Sequence, residues 1–297
     1  MNAVIETRTL TKAYGPVRGI EGVSLTVEEG EVFGFLGPNG AGKTTTIRTL
    51  LDLQRPTSGS ATIFGLDTRR DSVAIRARLG NLSADFDFDP TWTGRELVGY
   101  TAALRGVHDQ SGADELAQRF EADLSRPLGD LSHGNRQKIG LINAFFHEPE
   151  LLILDEPTSG FDPLMQEEFL ALLREQRDSG RTIFLSSHDL DEVQRVCDRV
   201  GIIREGRLIS VERVADLIEQ SYRRVRVEFA QPVDPQEFAA IDGVESVALD
   251  GRVLTFTVVG ALDSVVKHAA RHEVVDLEVG HPSLEEIFIA MYGGNHR

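Results

Sequence analysis

Short apolar runs alternate with longer stretches of helical spacing along the first two thirds of the chain. Residues 4–10 read as a strand, Tyr14-Gly15-Pro16 as a turn, and residues 23–27, apolar at every second position, as another strand. Residues 31–36 make a short, mostly apolar strand pattern that runs into a glycine-rich loop, and helical spacing follows over 43–53. Residues 70–148 are largely helical in pattern. Within them, Thr93-Gly94-Arg95-Glu96 has the spacing of a capping box and predicts a helix start. Residues 151–154 are continuously apolar, as a strand buried on both faces is. Helical spacing returns over 162–178 and ends at Ser179-Gly180; a strand is then predicted over 182–186 and a helix over 189–200. This alternation predicts an α/β fold with a mainly parallel sheet covered on both faces.

The pattern changes after about residue 215. Residues 223–229 alternate like a strand, 235–241 read as a short helix, and 244–249 and 252–258 as strands joined at Asp250-Gly251, a hairpin signal. A helix over 262–271 and a strand over 273–279 complete the order βαββαβ, a ferredoxin-like α+β plan. Pro282-Ser283 then opens a last helix, to about residue 291. Two domains are therefore expected, 1–215 and 220–297, in keeping with roughly 150 residues per domain.

Composition supports a globular chain: 41% of residues are hydrophobic and 26% charged, enough for a sizeable core. No window approaches the ~20 consecutive apolar residues of a membrane-spanning helix. The first residues, Met1-Asn2-Ala3-Val4-Ile5-Glu6, lack the basic and apolar regions of a secretory signal. The net charge of −16 argues against non-specific nucleic-acid binding, which needs a basic footprint, and against direct attachment to an anionic bilayer. Membrane attachment is expected through a protein partner instead. The single cysteine, Cys197, cannot form an internal disulfide and is expected to pack inertly; its isolation fits a reducing compartment.

The strongest chemical signal is Gly37-Pro38-Asn39-Gly40-Ala41-Gly42-Lys43-Thr44-Thr45, which fits G-x-x-x-x-G-K-[ST] between a strand and a helix. Glycines Gly37, Gly40 and Gly42 permit φ > 0 and close approach of a ligand to the backbone. Consecutive N–H groups of such a loop, with the helix N-terminus, make an anion nest. Lys43 is expected on the β- and γ-phosphates of ATP, and the Thr44 hydroxyl on Mg²⁺. Downstream, Leu151-Leu152-Ile153-Leu154-Asp155-Glu156 ends an apolar strand in two carboxylates. That places them at the carboxyl edge of the sheet, where open α/β sheets bind ligands. Asp155 suits a water-mediated Mg²⁺ ligand, and Glu156 suits the group that orients or deprotonates an attacking water.

At this point the first 215 or so residues resemble the ABC ATPases, and the order of motifs carries the resemblance. Leu131-Ser132-His133-Gly134-Asn135-Arg136-Gln137 is similar to the family's LSGGQ signature, Ser159-Gly160-Phe161-Asp162 to its D-loop, and Ser186-Ser187-His188-Asp189 to its H-loop. Tyr14 stands where the family stacks an aromatic ring on adenine. The resemblance implies a P-loop NTPase with a RecA-like core sheet, an antiparallel β subdomain and a helical subdomain. It also implies head-to-tail pairing of two such domains, as a homodimer or with a related ATPase. ATP held by Asn39, Lys43, Thr44 and Thr45 of one domain is then capped by Ser132, Gly134 and Asn135 of the other. Asp162 belongs to the same interface, and His188 to the γ-phosphate. The sequence departs from the family at His133 and Asn135 within the signature. It departs again at Ala84, where the family has a glutamine that Ala84 cannot replace; two alternatives stay open, that Asp85 takes its place or that the loop works without it.

The tail narrows the branch. Pro282-Ser283-Leu284-Glu285-Glu286 after a βαββαβ unit, with Arg136-Gln137-Lys138 and Thr93-Gly94-Arg95-Glu96-Leu97, resembles drug and antibiotic exporters. This implies a separate membrane permease and a cytoplasmic position at the inner face of the membrane through it. Phe86 and Phe88, in an alternation of acidic and aromatic residues, are candidates to face that permease; the alternative is that one or both are core residues. Several rivals stay open: a nucleotide-dependent regulatory module with slow hydrolysis, kept alive by Ala84; a soluble non-transport ABC ATPase, which needs a coiled-coil insertion or a basic face; and a small-molecule kinase. The kinase leaves the signature and H-loop unexplained. His268 and His272 have the i, i+4 spacing of metal ligands, but without H-E-x-x-H or a nearby cysteine they read as part of an amphipathic helix.

Overall fold

The computed structural model describes residues 2–84, 88–219 and 223–280. The expected last helix over 282–291, with Pro282 and Ser283, lies outside these residues, as does Phe86. The chain divides into two compact units, Met1–Glu212 and Arg213–Arg297.

The first unit opens with β1 (Ala3–Tyr14), β2 (Val17–Val23), β3 (Thr26–Glu28), β4 (Val32–Leu36) and α1 (Lys43–Leu50). It continues through β5 (Ser58–Ile63), β6 (Leu66–Asp67), α2 (Ser72–Arg78), β7 (Leu79–Leu82), α3 (Gly94–Arg105), α4 (Ser111–Arg119) and α5 (His133–Phe145). β8 (Leu151–Asp155), α6 (Pro163–Asp178), β9 (Thr182–Ser187), α7 (Leu190–Val196), β10 (Arg199–Arg204) and β11 (Arg207–Arg213) follow. Six strands form one sheet in the order β11-β10-β4-β9-β8-β7, parallel from β10 to β7. Every residue of β4, β8 and β9 is buried, which is why β4 and residues 151–154 of β8 read as unbroken apolar runs. A second, antiparallel sheet runs β2-β1-β5-β6, with β3 on β1. Its Val4, Ile5 and Ile63 share a buried cluster with Phe33, Phe35, Ile153 and Phe184 of the parallel sheet and Ile47 of α1. Leu97, Val98, Ala113, Ile139 and Ile142 of the helical segment build a separate core. The expected core sheet, antiparallel sheet and helical region are thus all present.

The capping box forms as expected: Thr93 Oγ1 accepts from Glu96 N–H, and Glu96 Oε2 accepts from Thr93 N–H at 2.7 Å. Several boundaries differ from expectation. β1 continues to Tyr14 instead of stopping at residue 10. Thr9, at φ 45°, makes a bulge that resets the inside–outside alternation. Only glycine fits opposite, since a Cβ at Gly59 would lie 2.3 Å from the Thr9 carbonyl. The strand expected over 23–27 is broken into β2 and β3, because Thr7 Oγ1 donates to Val23 O and accepts from Leu25 N in place of ladder bonds. Within the segment read as helical lies β7, whose Gly80-Asn81 gives no strand signal; a Cβ at Gly80 would meet the Ala144 carbonyl at 2.1 Å. The helix expected over 189–200 stops at Val196. Arg199–Arg204 instead pairs with β4, since Val200, Ile202 and Ile203 are buried there.

The second unit contains α8 (Val214–Glu219), β12 (Arg223–Phe229), α9 (Pro235–Ala239), β13 (Val244–Asp250), β14 (Val253–Val258), α10 (Asp263–Ala269) and β15 (Val274–Gly280). Its antiparallel sheet is ordered β13-β14-β12-β15, so the first strand sits between the third and fourth of the βαββαβ run. Phe238 of α9 and Val265 and Ala269 of α10 close over Val225, Val227, Phe229, Leu254, Phe256 and Val258. Cys197, in the first unit, is buried against its neighbours as expected, and burial pushes its thiol well up. Among the described residues no helix is long and apolar enough to cross a membrane.

Candidate active site

The site begins where β4 ends. A Cβ at Gly37 would lie 2.3 Å from the Ile203 carbonyl, so the chain can leave the sheet here only as glycine. Gly42, at φ 110°, is the residue before α1, and a Cβ there would come within 2.7 Å of Ile20. The turn brings Asn39, Gly40, Gly42, Lys43, Thr44 and Thr45 onto a cavity of about 420 Å³, with Tyr14, Ala84 and Glu156 on its walls. The first turn of α1, whose leading N–H groups have no acceptor within the helix, therefore faces the same space. A larger cavity of about 660 Å³ lies at the amino ends of β8 and β9. Its walls include the mutually paired Arg78 and Glu150, and ligands of parallel sheets bind at the other end.

Lys43 is buried, and its ammonium donates to Gly37 O at 2.5 Å and lies 3.0 Å from Glu156 Oε1. Asp155 closes β8 and is also buried. Ser186 Oγ donates to its Oδ1 at 2.5 Å, and the Thr44 side chain hydrogen-bonds to it as well. Burial pushes the Asp155 carboxyl up; the Ser186 and Thr44 hydrogen bonds oppose this. Glu156 takes φ 48°, a left-handed conformation costing about 1–2 kcal/mol for a residue with a Cβ. Its N–H donates to Ser186 O and Oγ, which fixes the kink. The kink points the carboxylate between two groups: Oε1 at Lys43 and Oε2 at 2.6 Å from His188 Nδ1. Because a carboxylate only accepts, this contact selects the Nδ1–H form of His188.

The signature segment is built differently. Ser132 caps α5 by accepting from Asn135 N, and Asp162 caps α6 by accepting from Met165 N at 2.9 Å. A Cβ at Gly134 would sit 2.5 Å from the Gly160 carbonyl, so the start of α5 rests on the D-loop backbone. His133, one of the two residues that depart from LSGGQ, places Nε2 3.2 Å from Ser159 Oγ and joins the two loops. Ser132, Gly134, Asn135 and Asp162 are not among the residues that line the phosphate-loop cavity of their own chain. The structure thus brings Lys43, Thr44, Asp155, Glu156 and His188 together with the glycine loop and Tyr14, and leaves Ser132, Gly134, Asn135 and Asp162 off that cavity. Phe88 is 40% exposed, not a core residue.

Three supporting residues had no role in the sequence reading. Ser186 ties Asp155 to the Glu156 backbone, and buried Gln137 donates to Pro157 O at 3.3 Å, anchoring the loop after the carboxylates. Both stood inside quoted motifs, so a polar residue at a buried position was the available signal. The third, Glu192, is buried. Its Oε2 accepts from Ser187 Oγ at 2.6 Å. Burial pushes its carboxyl up to about 7, against the Ser187 and Thr158 hydrogen bonds and with help from the charges of Asp189 and Glu156. The folded state therefore holds this proton more tightly than the unfolded chain. Its contribution is present below the ordinary value of 4.5 and fades as pH rises through about 7. Glu192→Gln should stabilise the protein by up to about 3 kcal/mol at pH 8 and by almost nothing near pH 4.5. Urea melts of both proteins across this range check it; a pH-independent difference would refute the assignment.

Comparison with known proteins gives a consistent picture. The family model described as ABC transporter matches residues 20–159. The bacitracin transport ATP-binding protein BcrA of Bacillus licheniformis is 34% identical over 306 residues, covering 99% of each chain. The daunorubicin resistance ATP-binding protein DrrA3 of Streptomyces coeruleorubidus is 35% identical, over 96% of this chain and 95% of that one. A solved ATP-binding subunit of an ABC transporter superposes with a TM-score of 0.67 at 30% identity, over 73% of this chain and 92% of its own.

Proposed function

Because this chain belongs to the ABC transporter family, as one of its ATP-binding subunits, we propose that two copies hydrolyse ATP at sites shared between them and so drive export of a drug-like substrate through a separate permease. The observation that carries this reading is the line Lys43–Glu156–His188 at the carboxyl edge of the sheet, beside the phosphate loop. The relatives named for bacitracin transport and daunorubicin resistance support the exporter direction.

In this mechanism the phosphates of ATP enter the glycine loop and take over the Lys43 ammonium, which exchanges Gly37 O and Glu156 for phosphate oxygens. Glu156, released from the lysine, accepts a proton from the attacking water as the new O–P bond forms and the β–γ bridging bond breaks. His188 holds the other carboxylate oxygen and contacts the γ-phosphate. Thr44 and buried Asp155 offer a hydroxyl and a carboxylate, an oxygen set that suits Mg²⁺. Bound there with ATP, Mg²⁺ would neutralise charge on the phosphates. Tyr14 stacks on the base. Ser132, Gly134 and Asn135 cap the ATP of the other copy, with Asp162 at the same interface; their position away from their own cavity supports this. Phe88, exposed at its position, contacts the permease, which would hold the protein at the cytoplasmic face of the membrane.

Turnover per chain should rise with protein concentration, because a single copy's capping residues do not reach its own site; a constant per-chain rate would contradict pairing. Ala84 offers the cavity only a methyl group. Ala84→Gln should therefore raise turnover by up to roughly tenfold, the value of one added hydrogen bond in the transition state. An unchanged rate would mean the loop works without a carboxamide there.

A further inference from the structure

The helical face of the second unit carries a cluster that plays no part in ATP chemistry. Glu237 on α9, His268 on α10 and His272 just beyond it converge, each offering one ligand atom within 4.8 Å of the other two. The sequence displays only the two histidines, because the third group comes from 31 positions before His268. Both rings point at the same oxygen: Glu237 Oε2 is 3.4 Å from His268 Nε2 and 3.3 Å from His272 Nε2. A charged imidazolium–carboxylate hydrogen bond closes to about 2.7–2.9 Å, so neither contact is a tight one. Donors held about 2.0–2.2 Å from one tetrahedral ion stand about 3.3–3.5 Å from each other, and these contacts match that spacing.

The rings are held in place by the core. His268 packs edge-on to Phe238 at 4.9 Å between centroids, and His272 to Phe229 at 5.6 Å; both phenylalanines are fully buried. Glu237 and His272 remain partly exposed, which leaves a coordination position open to water. Imidazole with carboxylate suits zinc and its transition-metal neighbours, whereas magnesium and calcium prefer oxygen alone.

We propose that Glu237, His268 and His272 bind one divalent transition-metal ion of the zinc class, which ties α9 to α10 and stabilises the second unit. The test uses the full-length chain, stripped with a chelator and titrated with cobalt(II) alone, then zinc alone, in the absence of nucleotide. Wild type should bind one ion per chain at this site, with the visible absorption of four-coordinate cobalt, displaced by zinc but not by excess magnesium. Glu237→Gln should weaken binding more than about tenfold and His272→Ala by about a hundredfold or more, beyond the cost of losing an outer-sphere partner. Glu237 is exposed, so its variant should fold as wild type by circular dichroism. No four-coordinate cobalt spectrum in the wild type, or equal affinity and spectrum in both variants, would overturn the site and leave a simple hydrogen-bonded triad.

Discussion

Glu156→Gln should lower ATP turnover by about two to four orders of magnitude while leaving ATP binding intact. The substitution keeps the side chain's shape, so the left-handed turn held by Ser186 and the contact towards His188 survive. It removes the carboxylate that accepts the water's proton. It also removes the counter-charge 3.0 Å from the buried Lys43 ammonium. Two further results follow from that second loss. The nucleotide-free variant should be less stable than wild type by about 1–3 kcal/mol, because a buried cation has lost its partner. ATP should restore this stability, since its phosphates replace the carboxylate. The variant should therefore accumulate as an ATP-bound dimer, visible by size-exclusion chromatography. Residual turnover within tenfold of wild type would remove Glu156 from the proton transfer.

Lys43→Ala should have the opposite signature. Each charge-assisted hydrogen bond to phosphate contributes about 1.5–3 kcal/mol, so ATP affinity should fall at least tenfold to a hundredfold. Turnover should fall further, by about 10²–10³ more, because charge on the transferred group is greatest in the transition state. No ATP-induced dimer should form. Isothermal titration with ATP separates the two variants, since one retains binding without turnover and the other loses both. Wild-type affinity in Lys43→Ala would show that the backbone nest alone holds the phosphates.

How much of this was legible before the structure depends on how local each constraint is. The glycine loop could be read because the demand for φ > 0 at Gly40 and Gly42 is met by residues adjacent in the chain. The capping box at Thr93 and the βαββαβ order were legible for the same reason. Ser186 and Gln137 were not, because each acts on a loop far away in sequence: Ser186 reaches Asp155 across 31 positions, and Gln137 reaches Pro157 across 20. The strand β10 was hidden because a short apolar run next to a helix carries no period of its own; pairing with β4 decides it. His133 looked like a flaw in the signature, and the contact with Ser159 that accounts for it exists only once the D-loop is folded against α5. The spacing of His268 and His272 shows no third ligand, because Glu237 joins them from a different helix 31 positions before His268.

The central claim is that one ATP site is built from two chains, and mixing two inactive variants tests it most directly. Lys43→Ala breaks the phosphate loop, and Ser132→Arg fills the exposed capping position; each alone should be nearly silent. At protein concentrations high enough for the chains to pair at random without ATP, half the dimers of an equimolar mixture join one variant to the other, and each mixed dimer rebuilds one intact site from the phosphate loop of one chain and the signature of its partner. The account predicts that turnover returns to about a quarter of the wild-type rate. A mixture as silent as its components, under conditions where mixed dimers are shown to form, would contradict it.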